Sequence, residues 1–137
     1  MDKLKGKIVV VTGASSGIGR STVLDFAEKQ VKAIILVSRN KELMSQVSTE
    51  IRYKCESMIF SCDVSNNSEV SKMAKDVLSV YDHIDILVNN AGIGILGKVA
   101  DQSIEEIEQV TKLALLFHRE HSAFGHFGIL RRSPQIY

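Results

Sequence analysis

The sequence predicts an α/β domain built as a doubly wound parallel sheet with helices on both faces. Two observations carry this. Short apolar runs at residues 8–11, 33–37, 57–62 and 84–88 read as strands, and the first two have no polar alternation, as expected of parallel strands covered on both sides. Between the runs, apolar residues recur at helical spacing. Strand and helix therefore alternate from residue 8 to residue 88, with no room for a hairpin before the second strand.

The first strand, Ile8-Val9-Val10-Val11, breaks into Thr12-Gly13-Ala14-Ser15-Ser16-Gly17-Ile18-Gly19, which reads as a strand, a phosphate loop and the start of a helix. Gly13 and Gly17 can take backbone angles that other residues avoid, and Gly19, lacking a Cβ, lets a neighbour press close to the helix start. A helix beginning near Ser16 or Gly17 aims its unpaired N–H groups and its positive dipole end at the loop, a natural seat for a pyrophosphate. The dipole supplies only about 0.3–1 kcal/mol, so most of the affinity falls to amide hydrogen bonds and to groups further along. Two other readings fit the same letters. Glycines also punctuate ordinary turns. Gly13, Ser15 and Gly17 also spell G-x-S-x-G, the nucleophile elbow of the α/β-hydrolases.

Ile18, Val23, Phe26 and Ala27 mark the buried stripe of a first helix running to about Gln30. Ala33-Ile34-Ile35-Leu36-Val37 forms the second strand. Asn40 caps a second helix with Leu43, Met44, Val47 and Ile51 on one face. Ser57-Met58-Ile59-Phe60-Ser61-Cys62 is a shorter third strand. Val70, Met73, Ala74, Val77, Leu78 and Tyr81 form the clearest amphipathic stripe, and Ile84-Asp85-Ile86-Leu87-Val88 follows as the fourth strand.

At 137 residues the chain supports one domain that buries about two thirds of the unfolded chain's surface. The net charge of +1 and the mixed signs along the chain argue against a nucleic-acid surface. The amino terminus lacks an apolar signal core, and no run approaches the roughly 18 residues needed to span a bilayer, so a cytoplasmic location is expected. Cys55 and Cys62 are then reduced, with Cys62 ending a buried strand.

The end of the second strand is the next chemical signal. In dinucleotide folds an acidic residue about 20 positions beyond the glycine loop holds the adenosine ribose hydroxyls, whereas an Arg there accommodates a 2′-phosphate. This chain has Ser38 and Arg39. A guanidinium takes a phosphate bidentately, and hydrogen bonds to charged groups contribute about 1.5–3 kcal/mol each, which predicts NADP in preference to NAD.

Thr12 to Gly19, then Cys62-Asp63-Val64, then Asn89-Asn90-Ala91-Gly92 resemble, in order and spacing, three successive signatures of the short-chain dehydrogenases/reductases. The resemblance implies a truncated Rossmann-like sheet and a nicotinamide dinucleotide as partner. Thr12, Gly13, Ser15, Ser16, Gly17, Ile18 and Gly19 would surround the pyrophosphate, and Ser38 and Arg39 the 2′-phosphate. Asp63 and Val64 would meet the adenine. Asn90 and Gly92, with Ala91 between them, would sit beside the ribose and support the sheet. Each segment follows a parallel strand at its carboxyl end, where open α/β sheets bind ligands.

The resemblance covers roughly the first 110 residues. Ser103-Ile104-Glu105-Glu106 reads as a capping box opening a helix through Ile107, Val110 and Ala114, and Ala114 stands where the family carries an Asn of its proton relay. The family also uses a Ser and a Tyr-x-x-x-Lys. Here Tyr53 is followed four places on by Ser57, Tyr81 by Asp85, and Tyr137 is the last residue. An unassisted phenol near pKa 10 is a poor acid-base catalyst at neutral pH. The division expected is therefore a cofactor-binding part at 1–114 and a divergent, loosely ordered tail at 115–137. In that tail His118, His121 and His126 match no common zinc spacing, and Ile129-Leu130 is too short to predict a fifth strand.

Right-handed crossovers give the strand order 3-2-1-4 and leave the fourth strand as an apolar edge, which predicts self-association there. The sequence thus suggests an NADP-binding reductase-like chain without its own catalytic Ser, Tyr and Lys. The alternatives are a non-catalytic interaction module using the exposed fourth strand, and a hydrolase using Ser15.

Overall fold

The computed structural model describes residues 3–91 and the backbone of Gly128 and Ile129. Along the chain run β1 (Ile8–Thr12), α1 (Gly17–Glu28), β2 (Ala33–Ser38), α2 (Lys41–Ile51), β3 (Glu56–Ser61), α3 (Asn67–Val80), β4 (Ile86–Val88) and β5 (Gly128–Ile129). The strands form one sheet in the order β3-β2-β1-β4-β5, and each pairing is parallel. β1 is central: Val10 lies between Ile35 of β2 and Leu87 of β4. The expected order 3-2-1-4 is what the described strands adopt, with β5 added outside β4.

The continuous apolar runs of β1 and β2 have their cause in the layers above and below. Val9, Val11, Ile34 and Leu36 pack against Val23, Phe26 and Ala27 of α1 and Met44, Val47 and Ile51 of α2. On the other face Val10, Ile35 and Val37 meet Val70, Met73, Ala74 and Val77 of α3. Val9, Val10 and Val11 are completely buried, so both faces of β1 are covered at these positions. Each of these valine side chains contributes about 1.5–3 kcal/mol by leaving water. Among the described residues no helix is long and apolar enough to cross a membrane.

The helix starts follow local chemistry. Asn40 Oδ1 accepts from the Leu43 N–H at 2.9 Å, as its position before α2 predicts. Asn66 Oδ1 accepts from the Ser68 and Glu69 N–H groups at the start of α3. α1 stops at Glu28, two residues short of the expected end, because Gln30 takes a left-handed φ of 55° and its carbonyl accepts from Gly6 N.

Two expectations need correction. Ile18 does not belong to the buried stripe of α1: it is 65% exposed, and Gly19 holds the buried position in that turn. The fourth strand is not an open edge, because Gly128 and Ile129 pair with Ile86 and Leu87. Two residues suffice there, since an edge strand presents ready-made donors and acceptors to any extended segment that reaches it. Within the expected tail, Gly128 and Ile129 thus add a two-residue strand outside β4.

At the amino-terminal end of the sheet, Asp85 joins β1 to the approach to β4. Its carboxylate accepts from the Ile8 N–H at 2.8 Å and from Lys7 Nζ at 2.9 Å, with His83 Nε2 at 3.3 Å. Burial alone would raise its pKa. The hydrogen bonds from Ile8 and Lys7, aided by the charges of Lys7 and His83, outweigh this and hold it below the usual carboxylate range. A depressed folded-state pKa stabilises the fold above the unfolded value, near 3.9, and that stabilisation is lost as pH falls towards the folded value. Asp85→Asn is expected to lower the unfolding free energy by about 1.5 kcal/mol at neutral pH, the low end for a charged hydrogen bond because Lys7 is half-exposed. In urea titrations the gap between the two proteins closes below about pH 4; a gap that is constant with pH contradicts the assignment.

Candidate functional site

The loop between β1 and α1 is built by close packing of backbone. Gly13 has φ 66° and Gly17 has φ 55°, both in the left-handed region. A Cβ on Gly19 would lie 2.0 Å from the Gly13 carbonyl oxygen and 2.6 Å from Asn90 Nδ2, so glycine is required at the first turn of α1. Asn90 Nδ2 itself donates to the Gly13 carbonyl at 3.4 Å. Thr12, completely buried, accepts from the N–H groups of Asn90 and Ala91 at 3.0 and 2.9 Å and donates to the Val88 carbonyl at 3.4 Å. Its hydroxyl is therefore committed to joining the ends of β1 and β4. Thr12 supports the loop from beneath.

Above this base the amides of α1 are open. The first helical hydrogen bond runs from Arg20 N to Ser16 O, and the Ser16 side chain caps none of the preceding N–H groups. α2 and α3 differ, since Asn40 and Asn66 close theirs. A Cβ on Gly17 would project into empty space, so a ligand can approach the backbone there. Ile18 stands exposed beside this opening and lines, with Thr22, Phe26, Val88 and Asn90, a cavity of about 420 Å3.

The ends of β2 and β3 complete one side. Ser38 Oγ donates to Ser15 Oγ at 2.8 Å, and the Ala14 N–H donates to the Val37 carbonyl, so the loop is tied to β2 twice. Arg39 is exposed, and its carbonyl accepts from Ser61 Oγ. Asp63 is held below the usual carboxylate range by hydrogen bonds from the Ser65 hydroxyl and N–H, with the Arg39 charge adding to them against a smaller effect of burial. Val64 is 7% exposed and its side chain packs into the core, which leaves its main chain as the part able to meet a ligand. Burial, followed by the charges of Glu69 and Asp63, pushes the Cys62 thiol up to about 11, so it is no nucleophile at neutral pH.

Of the residues singled out in the sequence, Thr12, Gly13, Ser15, Ser16, Gly17, Ile18, Gly19, Ser38, Arg39, Asp63, Val64, Asn90 and Ala91 all lie at the carboxyl ends of β1, β2, β3 and β4. Gly92 lies outside the described residues, as do Ala114, the Ser103 capping box and the three tail histidines. Among the described residues no group of His, Cys, Asp and Glu is arranged to hold a metal ion. The elbow reading of Ser15 finds no support in its partner, which is a serine; His83 sits with Asp85 at the other end of the sheet. Ser65 and Glu69 were not singled out, although the Asn66-x-x-Glu69 spacing was visible. The Glu69 carboxylate accepts from the Asp63 N–H at 2.8 Å.

Comparison with known proteins agrees with this layout. The family model described as short chain dehydrogenase matches residues 7–118. An uncharacterised oxidoreductase of Staphylococcus epidermidis is 36% identical over 106 residues, covering 77% of this chain and 45% of the relative. An alcohol dehydrogenase from the archaeon Thermococcus sibiricus, complexed with 5-hydroxy-NADP, superposes with a TM-score of 0.79 at 30% identity, covering 86% of this chain and 51% of that one. An NAD+-bound xylitol dehydrogenase gives a TM-score of 0.79 at 30% identity, over 89% of this chain and 49% of that one. The chain thus spans about half the length of the relatives it matches. Because the matched stretch takes in every element from β1 to β4, the chain belongs to the short-chain dehydrogenase/reductase family.

Proposed function

We propose that this chain binds a nicotinamide dinucleotide with its pyrophosphate on the loop between β1 and α1, and that it takes NADP(H) in preference to NAD(H). The observation that carries the reading is the uncapped start of α1, which opens over Gly17 and lies beside a strand end bearing Arg39 and no carboxylate. Amide groups and a helix dipole favour an anion at that point. The residues fit the group: Gly17 leaves the backbone accessible, Ser15 and Ser38 offer hydroxyls on the β2 side, and Arg39 is exposed for a 2′-phosphate. Solved relatives carry either an NADP derivative or NAD+, and the preference proposed for this chain rests on Arg39.

When bound, the nicotinamide supplies a hydride donor or acceptor. These 137 residues do not supply the proton relay that goes with it, because no Tyr is followed four places on by Lys. The described tyrosines offer no substitute. Tyr81 donates to Glu56 at the far end of β3, and burial, then that hydrogen bond, pushes its phenol up to about 12. Tyr53 is on the surface with the Arg52 guanidinium over its ring. The chain therefore acts as a cofactor-binding unit with little or no reductase activity of its own.

Titration of NADPH fluorescence tests this. Arg39→Ala is expected to weaken NADPH binding about tenfold and to leave NADH binding within about twofold. Absence of NADPH binding by the wild-type chain refutes the reading as a whole. Equal loss for both cofactors refutes the role of Arg39.

A further inference from the structure

We infer that the free edge of the sheet, β3, is a docking surface for a second copy of this chain, whose own β3 pairs there antiparallel about a twofold axis at Ile59. The inference goes beyond dinucleotide binding and does not depend on it.

β3 is the outermost strand on its side of the sheet, and among the described residues nothing lies beyond it. Its pairing with β2 is unbroken from Ala33↔Glu56 to Ser38↔Ser61. The direction of its backbone groups follows from the two ends of this ladder. The Glu56 N–H donates to the Lys32 carbonyl at 3.1 Å, and the Cys62 N–H to the Ser38 carbonyl at 3.0 Å. Residues two apart share a direction, so Glu56, Met58, Phe60 and Cys62 turn their main-chain groups to β2. Both main-chain groups of Ser57, Ile59 and Ser61 therefore point away from the sheet.

Edge strands are commonly guarded by lysine, proline or a bulge. β3 has none of these. The stretch Glu56-Ser57-Met58-Ile59-Phe60-Ser61 carries one charge, at its first position, and that carboxylate accepts from the Tyr81 hydroxyl at 2.8 Å. Ser57 Oγ is paired with Ser48 Oγ, and Ser61 Oγ donates to the Arg39 carbonyl, so two small side chains are held back from the edge. Met58 and Phe60 pack on the α3 side of the sheet and Ile59 on the α2 side, yet all three are only half-buried. A further strand would extend both layers at once. It would also satisfy the row of outward N–H and C=O groups, which an apolar surface cannot do.

What selects a second copy is that β3 is complementary to itself when reversed. With Ile59 opposite Ile59, Ser57 falls opposite Ser61 and Met58 opposite Phe60. Outward residues then meet outward residues, and each opposite pair exchanges both its hydrogen bonds. Small polar side chains face small polar ones, apolar face apolar, and Glu56 comes level with Cys62, so no like charges are opposed within the paired strands. A slip of one residue sets outward groups against inward ones. A slip of two leaves an outward residue at the end of each strand without its opposite. Both copies use the same strand, so the contact closes on itself as a dimer.

Sedimentation equilibrium of the full chain over a concentration series tests this. A single strand pair makes a small interface, below about 1,200 Å2, so the dimer is expected to build up with concentration and to dissociate on dilution. Ser57→Lys/Ser61→Lys sets ammonium groups against one another at both ends of the pairing and should weaken dimerisation about tenfold. Ser57→Lys/Ser61→Glu changes the same positions but brings opposite charges face to face in this register, and should restore the dimer. If the double-lysine chain does not fold, Ser57→Glu/Ser61→Glu repeats the test with the sign reversed. A wild-type chain that sediments as a monomer at every concentration overturns the inference and leaves the edge to a strand from a different protein. A dimer that the double-lysine change leaves intact, or that the lysine and glutamate combination fails to restore, overturns it as well, because the copies then meet elsewhere or in another register.

Discussion

Gly19→Ala is expected to destabilise the chain by about 3 kcal/mol and to abolish dinucleotide binding. The sign is the informative part. Within a helix, alanine in place of glycine ordinarily stabilises by about 1 kcal/mol. Here the added Cβ would fall 2.0 Å from the carbonyl oxygen of Gly13 and 2.7 Å from its carbonyl carbon. Both are backbone atoms of a residue already in the left-handed region, so neither can swing aside as the end of a flexible side chain would. To admit the methyl group, α1 must move off the loop or the loop must move off Asn90, and either shift takes the open amides away from a bound pyrophosphate. Gly17→Ala is the control. Its Cβ meets nothing within 4 Å, and its cost is only the strained φ of +55°, about 1–2 kcal/mol. Urea unfolding of the two variants should rank Gly19→Ala as clearly the worse. Equal stability of Gly19→Ala and wild type would mean that the loop and helix do not pack as described.

The same pair of glycines shows what the sequence could and could not convey. Their spacing after a β-branched run was enough to place a strand, a loop and a helix start, because the constraint is local: a turn of this shape needs left-handed residues within a few positions. The strands were legible for a related reason. β1 and β2 are covered on both faces, so every position is apolar and the run stands out without a partner being known. Ile18 misled because a helical stripe counts apolar residues without knowing which of them the loop turns outward; at the first turn of α1, closeness to Gly13 puts Gly19 inside and Ile18 outside. β5 was illegible because two residues have no period. Its pairing with β4 is set by an edge already in place, some 40 residues earlier in the chain. The Asp85 link to Ile8 and the Thr12 link to Asn90 join positions 77 and 78 apart. No local pattern of letters reports such contacts, and the second of them holds the base of the site together.

Thr12→Val is the second large effect, and it separates support from contact. Valine has nearly the shape of threonine, so the completely buried site beneath the loop stays filled while the hydroxyl is lost. Asn90 N keeps a partner in the Val88 carbonyl at 3.1 Å, but the Ala91 N–H loses its acceptor. A half-buried donor left unsatisfied costs about 1 kcal/mol, the low end for a buried one, and the hydrogen bond to Val88 is lost as well, so a destabilisation of about 2 kcal/mol is expected. Thr12→Ser reverses the trade: it keeps every hydrogen bond and gives up one methyl group, at about 1 kcal/mol. A Val variant more stable than the Ser variant would show that the methyl, and not the hydroxyl, matters at this position. The dinucleotide titration carries the argument to function. Asn90 reaches Gly13 from a main chain that Thr12 helps to hold, so Thr12→Val should weaken NADPH binding about tenfold while Thr12→Ser leaves it nearly unchanged. If Thr12 instead touched the ligand directly, its hydroxyl could not also be engaged by Val88, Asn90 and Ala91, and a single deletion could not loosen the strand junction and the cofactor together.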